Sequence, residues 1–475
     1  MKVSSFNIFI ENKKYKNWLL FNTKTCSLLE INDDVKNYLD SDFDKMNHRI
    51  GDGFLNKEME DELIECGVLV SENINEIQEA INDDNDSYER IRTKDNFIDL
   101  TVCPTLHCNL KCTYCYETYY GDSLNYGIMN QSVQRKVIEA YEKHCIRNSI
   151  NKNKQKTTDS ITWYGGEPML HMDVIQNIQT EINKLAKNHN RRIRNSITTN
   201  GILLNNKNQE ILRKVKIRDI QVSIDGPTEI HNKRRYFPKE PSHSFDIITD
   251  NLKSLDEYFK VLIRINVDKE NCGYLKELVD ELVMNGVWPR KNISIEIANI
   301  KCQLNGNLEF AIPHTKFAQI ETEFRLYKLK IFNQQARDKN ARLKMLFPTL
   351  IKSGCRTAVN KNANVVGPQG EIYSCWSNVG NKKYVVGSID DIIEGKDFEK
   401  KYEAVINKEL RRKIECNTCK ILPICSVVCQ ESYIRDGIAH PQFLCSKWKF
   451  IIEESILFNY DFEKTHPELA LNNRA

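Results

Sequence analysis

The stretch Cys108-Asn109-Leu110-Lys111-Cys112-Thr113-Tyr114-Cys115 places three cysteines in one short loop at C-x3-C-x2-C spacing. Thiolates bind soft metals, and a fully ligated 4Fe–4S cluster or a tetrahedral zinc site takes four ligands. Three in one loop therefore leave a coordination position for something that is not protein. A second set follows far down the chain: Cys355, Cys375, Cys416, Cys419, Cys425, Cys429 and Cys445. Eleven of the 16 cysteines lie between Cys103 and Cys115 or between Cys355 and Cys445. In a reducing compartment such clustering reads as metal ligation rather than disulfides. Cys26, Cys66, Cys145, Cys272 and Cys302 are scattered and read as small buried residues, as does Cys103.

Other segments carry ligand-binding groups. Gly165-Gly166-Glu167-Pro168 combines glycines, which let a backbone approach a ligand closely, with a carboxylate that can accept from an ammonium. Thr198-Thr199-Asn200-Gly201 and Ser223-Ile224-Asp225-Gly226-Pro227 present hydroxyl, amide and carboxylate groups at the ends of two further apolar runs. Arg235 and Arg264 are cationic candidates, with an ordinary salt bridge as the plain alternative for each. Arg191-Arg192-Ile193-Arg194 reads as a solvated helix end.

The three-cysteine loop, with an aromatic residue before its last cysteine, resembles the radical S-adenosylmethionine (SAM) superfamily. That resemblance implies an open iron chelating the amino and carboxylate groups of SAM. Reductive cleavage then gives a 5′-deoxyadenosyl radical that removes a hydrogen atom from the substrate. Gly165 to Pro168 is similar to the family's GGEP segment, which implies contact with the methionyl amino group. Thr199-Asn200-Gly201 and Ser223-x-Asp225-Gly226 look like its TNG and S-x-D-G elements, which implies ribose contacts. His231 to Arg235 resembles H-D-x-x-R, with Asn232 in place of the acidic residue. Tyr114 is placed near adenine or packed over the cluster. The later cysteines resemble the SPASM extension, which houses two auxiliary 4Fe–4S clusters. By position, Cys355, Cys375 and Cys429 serve the first, and Cys416, Cys419, Cys425 and Cys445 the second. Sulfatase-maturating members have a further cysteine six residues before the first, where this chain has Thr349, so an open iron or an unidentified ligand is expected.

The elements that must position these groups follow from patterning. Apolar runs at Phe97–Val102, Ser160–Tyr164, Arg194–Thr198, Ile220–Ile224, Leu262–Val267 and Ile293–Ile297 read as strands. Amphipathic stretches such as Val133 to Tyr141 and Val174 to Leu185 lie between them. Strand–helix alternation predicts an α/β fold with a parallel sheet and an active site at the C-terminal strand ends. The resemblance implies a partial (β/α)6 TIM-like barrel over residues 97–340. Residues 1–85 read as strands at Phe6–Ile10, Trp18–Phe21 and Ser27–Ile31 followed by two helical stretches, which resembles a winged helix-turn-helix that recognises leader peptides. The polar run from Asn82 to Ser87 reads as a linker. Residues 350–450 form a SPASM unit, and the polar end from Asp461 is expected to fray.

The chain has 475 residues and a net charge of +3 from 68 basic and 65 acidic residues, so no bulk field points to nucleic acid or membrane. No stretch approaches the ~18–20 apolar residues of a membrane span. No signal-peptide pattern follows Met1-Lys2, so a cytoplasmic protein is expected. Together the motifs resemble radical SAM/SPASM maturases of ribosomally made peptides. The resemblance implies one SAM-binding and two auxiliary 4Fe–4S clusters, SAM, a precursor peptide and an electron donor such as flavodoxin or ferredoxin. The product expected is a cross-link, foremost a cysteine thioether, with a carbon–carbon or ether bond as a variant. A formylglycine-forming sulfatase maturase is the nearest competitor, and a zinc-binding winged-helix regulator the non-enzymatic one. The residue that serves as general base is not legible.

Overall fold

The computed structural model describes residues 1–40, 56–115, 127–149, 158–239, 243–300, 310–335, 347–350, 355–398, 414–425 and 446–465. Near the N-terminus β1 (Asn7–Asn12), β2 (Asn17–Asn22) and β3 (Leu28–Ile31) form an antiparallel sheet in that order. Helices Asp33–Asp40 and Lys57–Glu65 follow, the second capped by the Asn56 side chain accepting from Met59 N.

The main sheet begins with β4 (Asp99–Val102), β5 (Thr158–Trp163), β6 (Arg192–Thr199), β7 (Asp219–Ser223), β8 (Lys260–Val267) and β9 (Ile293–Asn299). These lie side by side in chain order, each neighbouring pair parallel. Parallel neighbours need a crossover. Helices Gln131–Ser149, Met172–Asn188, Asn206–Lys214, Ser244–Ser254 and Leu275–Met284 supply one between each successive pair. The α/β expectation is met by these six strands.

Side chains alternate across the pleat. Ile161, Trp163, Ile197, Val222, Ile263 and Ile265 are buried in one cluster with helix residues such as Val137, Ile178, Leu212 and Leu278. Each such side chain stabilises the fold by roughly 1.5–3 kcal/mol. Trp163 also donates its indole N–H to Gln179 Oε1 at 2.9 Å, so its polar atom is satisfied inside the core. The alternate residues Thr162, Ser196, Thr198, Gln221 and Ser294 line an open cleft of about 680 Å³ together with Trp376.

Three features of the sheet and its flanking helices differ from the sequence expectation, and a fourth concerns the C-terminal helix. β10 (Ala363–Val366) pairs parallel with β4, and β11 (Glu371–Tyr373) and β12 (Val385–Ser388) continue antiparallel from it, giving nine strands. The cysteine-rich unit therefore extends the sheet, covering an edge of β4 that would otherwise offer unpaired main-chain groups. The polar run Asn82 to Ser87 lies within an 18-residue helix, Glu76–Thr93, rather than in a linker. Acidic residues in its first turn and Arg90 and Arg92 in its last complement the helix dipole, while Ala80, Ser87 and Tyr88 are buried. Arg192 opens β6 instead of ending a helix, and Arg191 forms a buried pair described below.

The N-terminal sheet uses both faces. Leu20 and Ile31 pack with Val35, Leu39 and Leu63. Ile8, Ile10, Leu19 and Phe21 pack instead with Ile421, Ile424 and the Trp448–Thr465 helix, beside the half-buried Cys26, Cys419 and Cys425. Helix continues to Thr465 past the Asp461 expected to fray. Among the described residues, no helix is long and apolar enough to cross a membrane.

Candidate active site

The cysteine loop leaves the C-terminal end of β4 and is fastened along its length. Thr105 O accepts from Gly166 N at 3.2 Å, and His107 O accepts from Glu167 N at 2.8 Å. A Cβ on Gly166 would collide with the carbonyls of Leu106 and His107, and one on Gly165 with that of Thr105. The close approach that these glycines permit is thus to the protein's own main chain at the start of the loop. Gly165 also has φ +126°, a region that favours glycine.

Glu167 is fully buried. Its carboxylate accepts from Met169 N at 3.0 Å, Thr199 Oγ1 at 2.8 Å and Asn200 N at 2.7 Å. It caps the short turn begun by the buried Pro168 and ties it to the end of β6. Burial pushes the carboxyl up to about 7, against the pull of those donors. Asn200 in turn donates its side-chain amide to Asn109 Oδ1 at 2.7 Å and to Cys108 Sγ at 3.6 Å. Leu110 N is 3.5 Å from the same sulfur.

At the other end of the loop, Lys111–Cys112 pairs antiparallel with Arg235–Tyr236, and Thr113 N donates to Arg234 O at 3.0 Å. The Tyr114 hydroxyl meets Asp225, Arg235 and Asn266. Asp225 is fully buried and accepts from Arg235 Nε at 2.7 Å and from Asn266 N at 3.0 Å. Its carboxyl is held below the ordinary carboxylate range: burial opposes ionisation, and the charges of Arg235 and Arg234 outweigh it. Arg234 turns the other way, onto Asp268 and Glu270.

The two arginines singled out in the sequence therefore have different surroundings. Arg235 is buried and engaged by Asp225 and Tyr114. Arg264, opposite Ser223 in the β7–β8 register, is half-buried and gives its Nε to Asn266 Oδ1 at 3.1 Å. No ion pair of its guanidinium is seen among the described residues. Ser223, Thr199, Asn200, Glu167 and the cysteine loop thus gather at the C-terminal ends of parallel strands. Asn109 and Asn266, which hold the loop and the Asp225 carboxylate, were not singled out in the sequence. Asn109 in the loop and Asn266 near the end of β8 carry no signal beyond their positions.

The thiols fit a cluster. Cys108 is exposed and Cys112 and Cys115 are half-buried, so the loop leaves its sulfurs within reach of a group that is not protein. Burial of the sulfur, the Glu167 carboxylate and the neighbouring Cys112 and Cys115 push the Cys108 thiol up. Two N–H groups point at Cys108 Sγ, as a ligating thiolate accepts. Among the described residues no three Cys, His, Asp or Glu side chains converge as ligands of one ion. A cubane offers a separate iron to each thiolate and needs only that they border one volume.

Of the second set, Cys355 is exposed at the start of a short helix, and Cys375 is half-buried with its sulfur 3.1 Å from Ser377 Oγ. The neighbouring Trp376 packs on Tyr164, ring centres 5.1 Å apart, beside the Gly165 turn. Cys416, Cys419 and Cys425 are half-buried on consecutive turns, with Cys419 N donating to Cys416 O at 3.2 Å. Cys429, Cys445 and Cys302 lie outside the described residues. Cys103 and Cys145 are buried, whereas Cys26, Cys66 and Cys272 are half-buried.

Residues 102–282 match the family model described as the Radical SAM superfamily. A cysteine-type anaerobic sulfatase-maturating enzyme from Clostridium perfringens is 32% identical over 136 residues, 27% of this chain and 32% of that one. The radical SAM cyclopropyl synthase TigE of Paramaledivibacter caminithermalis is 26% identical over 220 residues, 45% of this chain and 42% of that one. This chain thus spans about a third to two-fifths of the length of these two relatives. Native anSMEcpe, solved with bound AdoMet and with AdoMet plus the Cp18Cys peptide, shares the fold at a TM-score of 0.52 and 21% identity, over 78% of this chain and 99% of that one.

Proposed function

Residues 102–282 of this chain form a radical SAM domain, and we propose that the protein is a radical SAM/SPASM peptide maturase that closes a cross-link, foremost a cysteine thioether, in a ribosomally made precursor peptide. The observation that carries the reading is the loop of Cys108, Cys112 and Cys115, fastened by Asn200 and Tyr114 at strand ends that also present Ser223 and Arg264. A 4Fe–4S cluster on those cysteines, with SAM bound, supplies a 5′-deoxyadenosyl radical able to remove a hydrogen atom from a peptide carbon. Ser223 offers a hydroxyl for the ribose, and Arg264 a cation for a carboxylate. Glu167 holds the loop's anchoring turn and Asn200 orients Cys108.

Thioether closure removes one hydrogen from carbon and one from the thiol. The first leaves in 5′-deoxyadenosine; the second leaves as a proton and one electron. Two auxiliary clusters are proposed to take that electron, the first on Cys355, Cys375 and Cys429 and the second on Cys416, Cys419, Cys425 and Cys445. Thr349 leaves the first short of a thiolate, so an open iron there is free to orient the peptide cysteine. A flavodoxin or ferredoxin supplies the electron for SAM cleavage in the cytoplasm. The N-terminal unit is proposed as a winged-helix-like recognition module: β1 and β3 are the edges of its sheet, and an added leader strand is a common way to use such an edge. Docking there raises the effective concentration of the core peptide at the strand ends.

Anaerobic co-expression with the short open reading frame nearest the gene tests this. The peptide should lose hydrogens in pairs, with cysteines that resist iodoacetamide. The same mass loss with free cysteines moves the bond to carbon or oxygen. The 32% identity to a cysteine-type sulfatase-maturating enzyme supports formylglycine formation as a second reading. An unmodified neighbour peptide, with a sulfatase-derived peptide oxidised instead, would decide for it. Purified protein should be brown with ~12 irons if each of three clusters holds four.

A further inference from the structure

The fastening of the cysteine loop at its third cysteine is a tyrosine hydroxyl. Tyr114 donates to Asp225 Oδ2 and accepts from Arg235 Nη2 at 2.6 Å and from Asn266 Nδ2 at 3.1 Å. A phenol has one hydrogen to give and two positions at which to accept, so this hydroxyl is saturated. Its partners come from three places: the turn after β7, the end of the Thr228–Arg234 helix, and β8.

Each partner is itself fixed. Asp225 also accepts from Arg235 Nε and Asn266 N. Asn266 Oδ1 accepts from Arg264, which assigns the amide nitrogen to Tyr114. Asn271 Nδ2 holds the carbonyls of Asp225 at 2.6 Å and Asn266 at 2.9 Å. The guanidinium carbons of Arg234 and Arg235 lie 5.1 and 5.6 Å from the centre of the Tyr114 ring. Filling space beside a cluster needs only an apolar ring, and phenylalanine would do it. A phenylalanine here would instead leave a buried carboxylate and guanidinium each short of a partner.

We propose that Tyr114 is a positioning residue: its hydroxyl holds the Cys108–Cys115 loop in register with Ser223, Asp225 and Asn266, so that SAM bound at the loop meets the strand ends in one geometry. The inference rests on the radical SAM reading and adds to it the residue that joins the loop to β7 and β8.

Tyr114→Phe removes one oxygen and leaves all three cysteines. The full chain, reconstituted anaerobically, should keep its iron and sulfide. Amide exchange across residues 108–115 should accelerate about tenfold, the equivalent of one to two lost hydrogen bonds. SAM affinity should fall by a similar factor, and the change that SAM induces in the electron paramagnetic resonance spectrum of the dithionite-reduced protein should differ from the parent's. A merely structural role, with iron content and melting point retained, would not move that spectrum. Asn266→Ala, which removes a partner from outside the loop, carries the same readouts should the first variant fail to hold iron. Parental exchange, SAM affinity and spectral response in both variants would overturn the proposal. Parent protein that neither binds nor cleaves SAM overturns the radical SAM reading instead, and the exchange measurement then still decides whether the hydroxyl fixes the loop.

Discussion

The carboxylate of Glu167 accepts the main-chain N–H of Asn200 at 2.7 Å, binding the turn after β5 to the end of β6. Because Asn200 reaches on to Asn109 and Cys108, a carboxylate that never touches the cysteine loop helps to orient it. Glu167→Ala leaves Met169 N, Thr199 Oγ1 and Asn200 N without their acceptor. At 1–3 kcal/mol for each buried group left unpaired, less what water recovers, the loss is about 2–4 kcal/mol. Urea unfolding should show it, together with weaker SAM binding. An unchanged midpoint would mean that the three donors find other acceptors.

Gly166 is placed against two carbonyls of the loop's first residues, so Gly166→Ala must push residues 106–107 away from the turn. The expected result is less than half the parental iron at the SAM-binding site after reconstitution, in protein that otherwise folds. Gly273→Ala is the control, because a Cβ there meets nothing within 4 Å. Equal iron in both variants would show that the loop shifts without cost.

The strands were legible because β-branched runs alternate with amphipathic stretches, and the motifs fell at their ends. Boundaries moved by a few residues: the run read from Arg194 begins at Arg192, where the basic residues had suggested a helix end. The helix through Asn82 to Ser87 was missed since its polar residues look like a linker one at a time; Ala80, Ser87 and Tyr88 reveal its buried side only in place. The pairing of β10 with β4 joins residues more than 250 apart in the chain, which no local pattern encodes. At the site, residue types were legible but their partners were not. Arg235 and Arg264 look alike in sequence, and only the Asp225 carboxylate distinguishes them.

At the opposite end of the sheet, Asp159 is fully buried and held by Arg191 through both of its oxygens at 2.6 Å, by Tyr141 Oη at 2.9 Å and by Ile98 N at 3.1 Å. Breaking a buried pair by removing one partner leaves an uncompensated charge. Asp159→Ala should cost about 3–5 kcal/mol in urea unfolding. Because Asp159 is near the N-terminal end of β5, SAM affinity of the folded variant should stay within twofold of the parent. A large loss of affinity without loss of stability would contradict this division between the two ends of the sheet.

His231 gives the site a pH dependence with a definite sign. It is fully buried, its Nδ1 accepts from Asp225 N at 3.2 Å, and its Nε2 is buried with no hydrogen-bond partner among the described residues. Burial holds the imidazole down to about 3; the Asp225 carboxylate opposes this, and the guanidinium groups of Arg235 and Arg234 reinforce it. The unfolded chain takes up this proton near its ordinary value of 6.5, whereas the folded chain does not. The stabilisation is therefore complete above pH 6.5 and declines as pH falls toward 3, by about 1.4 kcal/mol for each pH unit below 6.5. Since other groups titrate too, the informative quantity is a difference. His231→Asn keeps an acceptor near the Asp225 amide but has no proton to gain. Its stability, measured by urea unfolding from pH 7.5 to 5, should fall less steeply than the parent's by close to one proton. Parallel curves would show that His231 takes up its proton as readily in the folded protein as in the unfolded chain, with Asp225 offsetting burial.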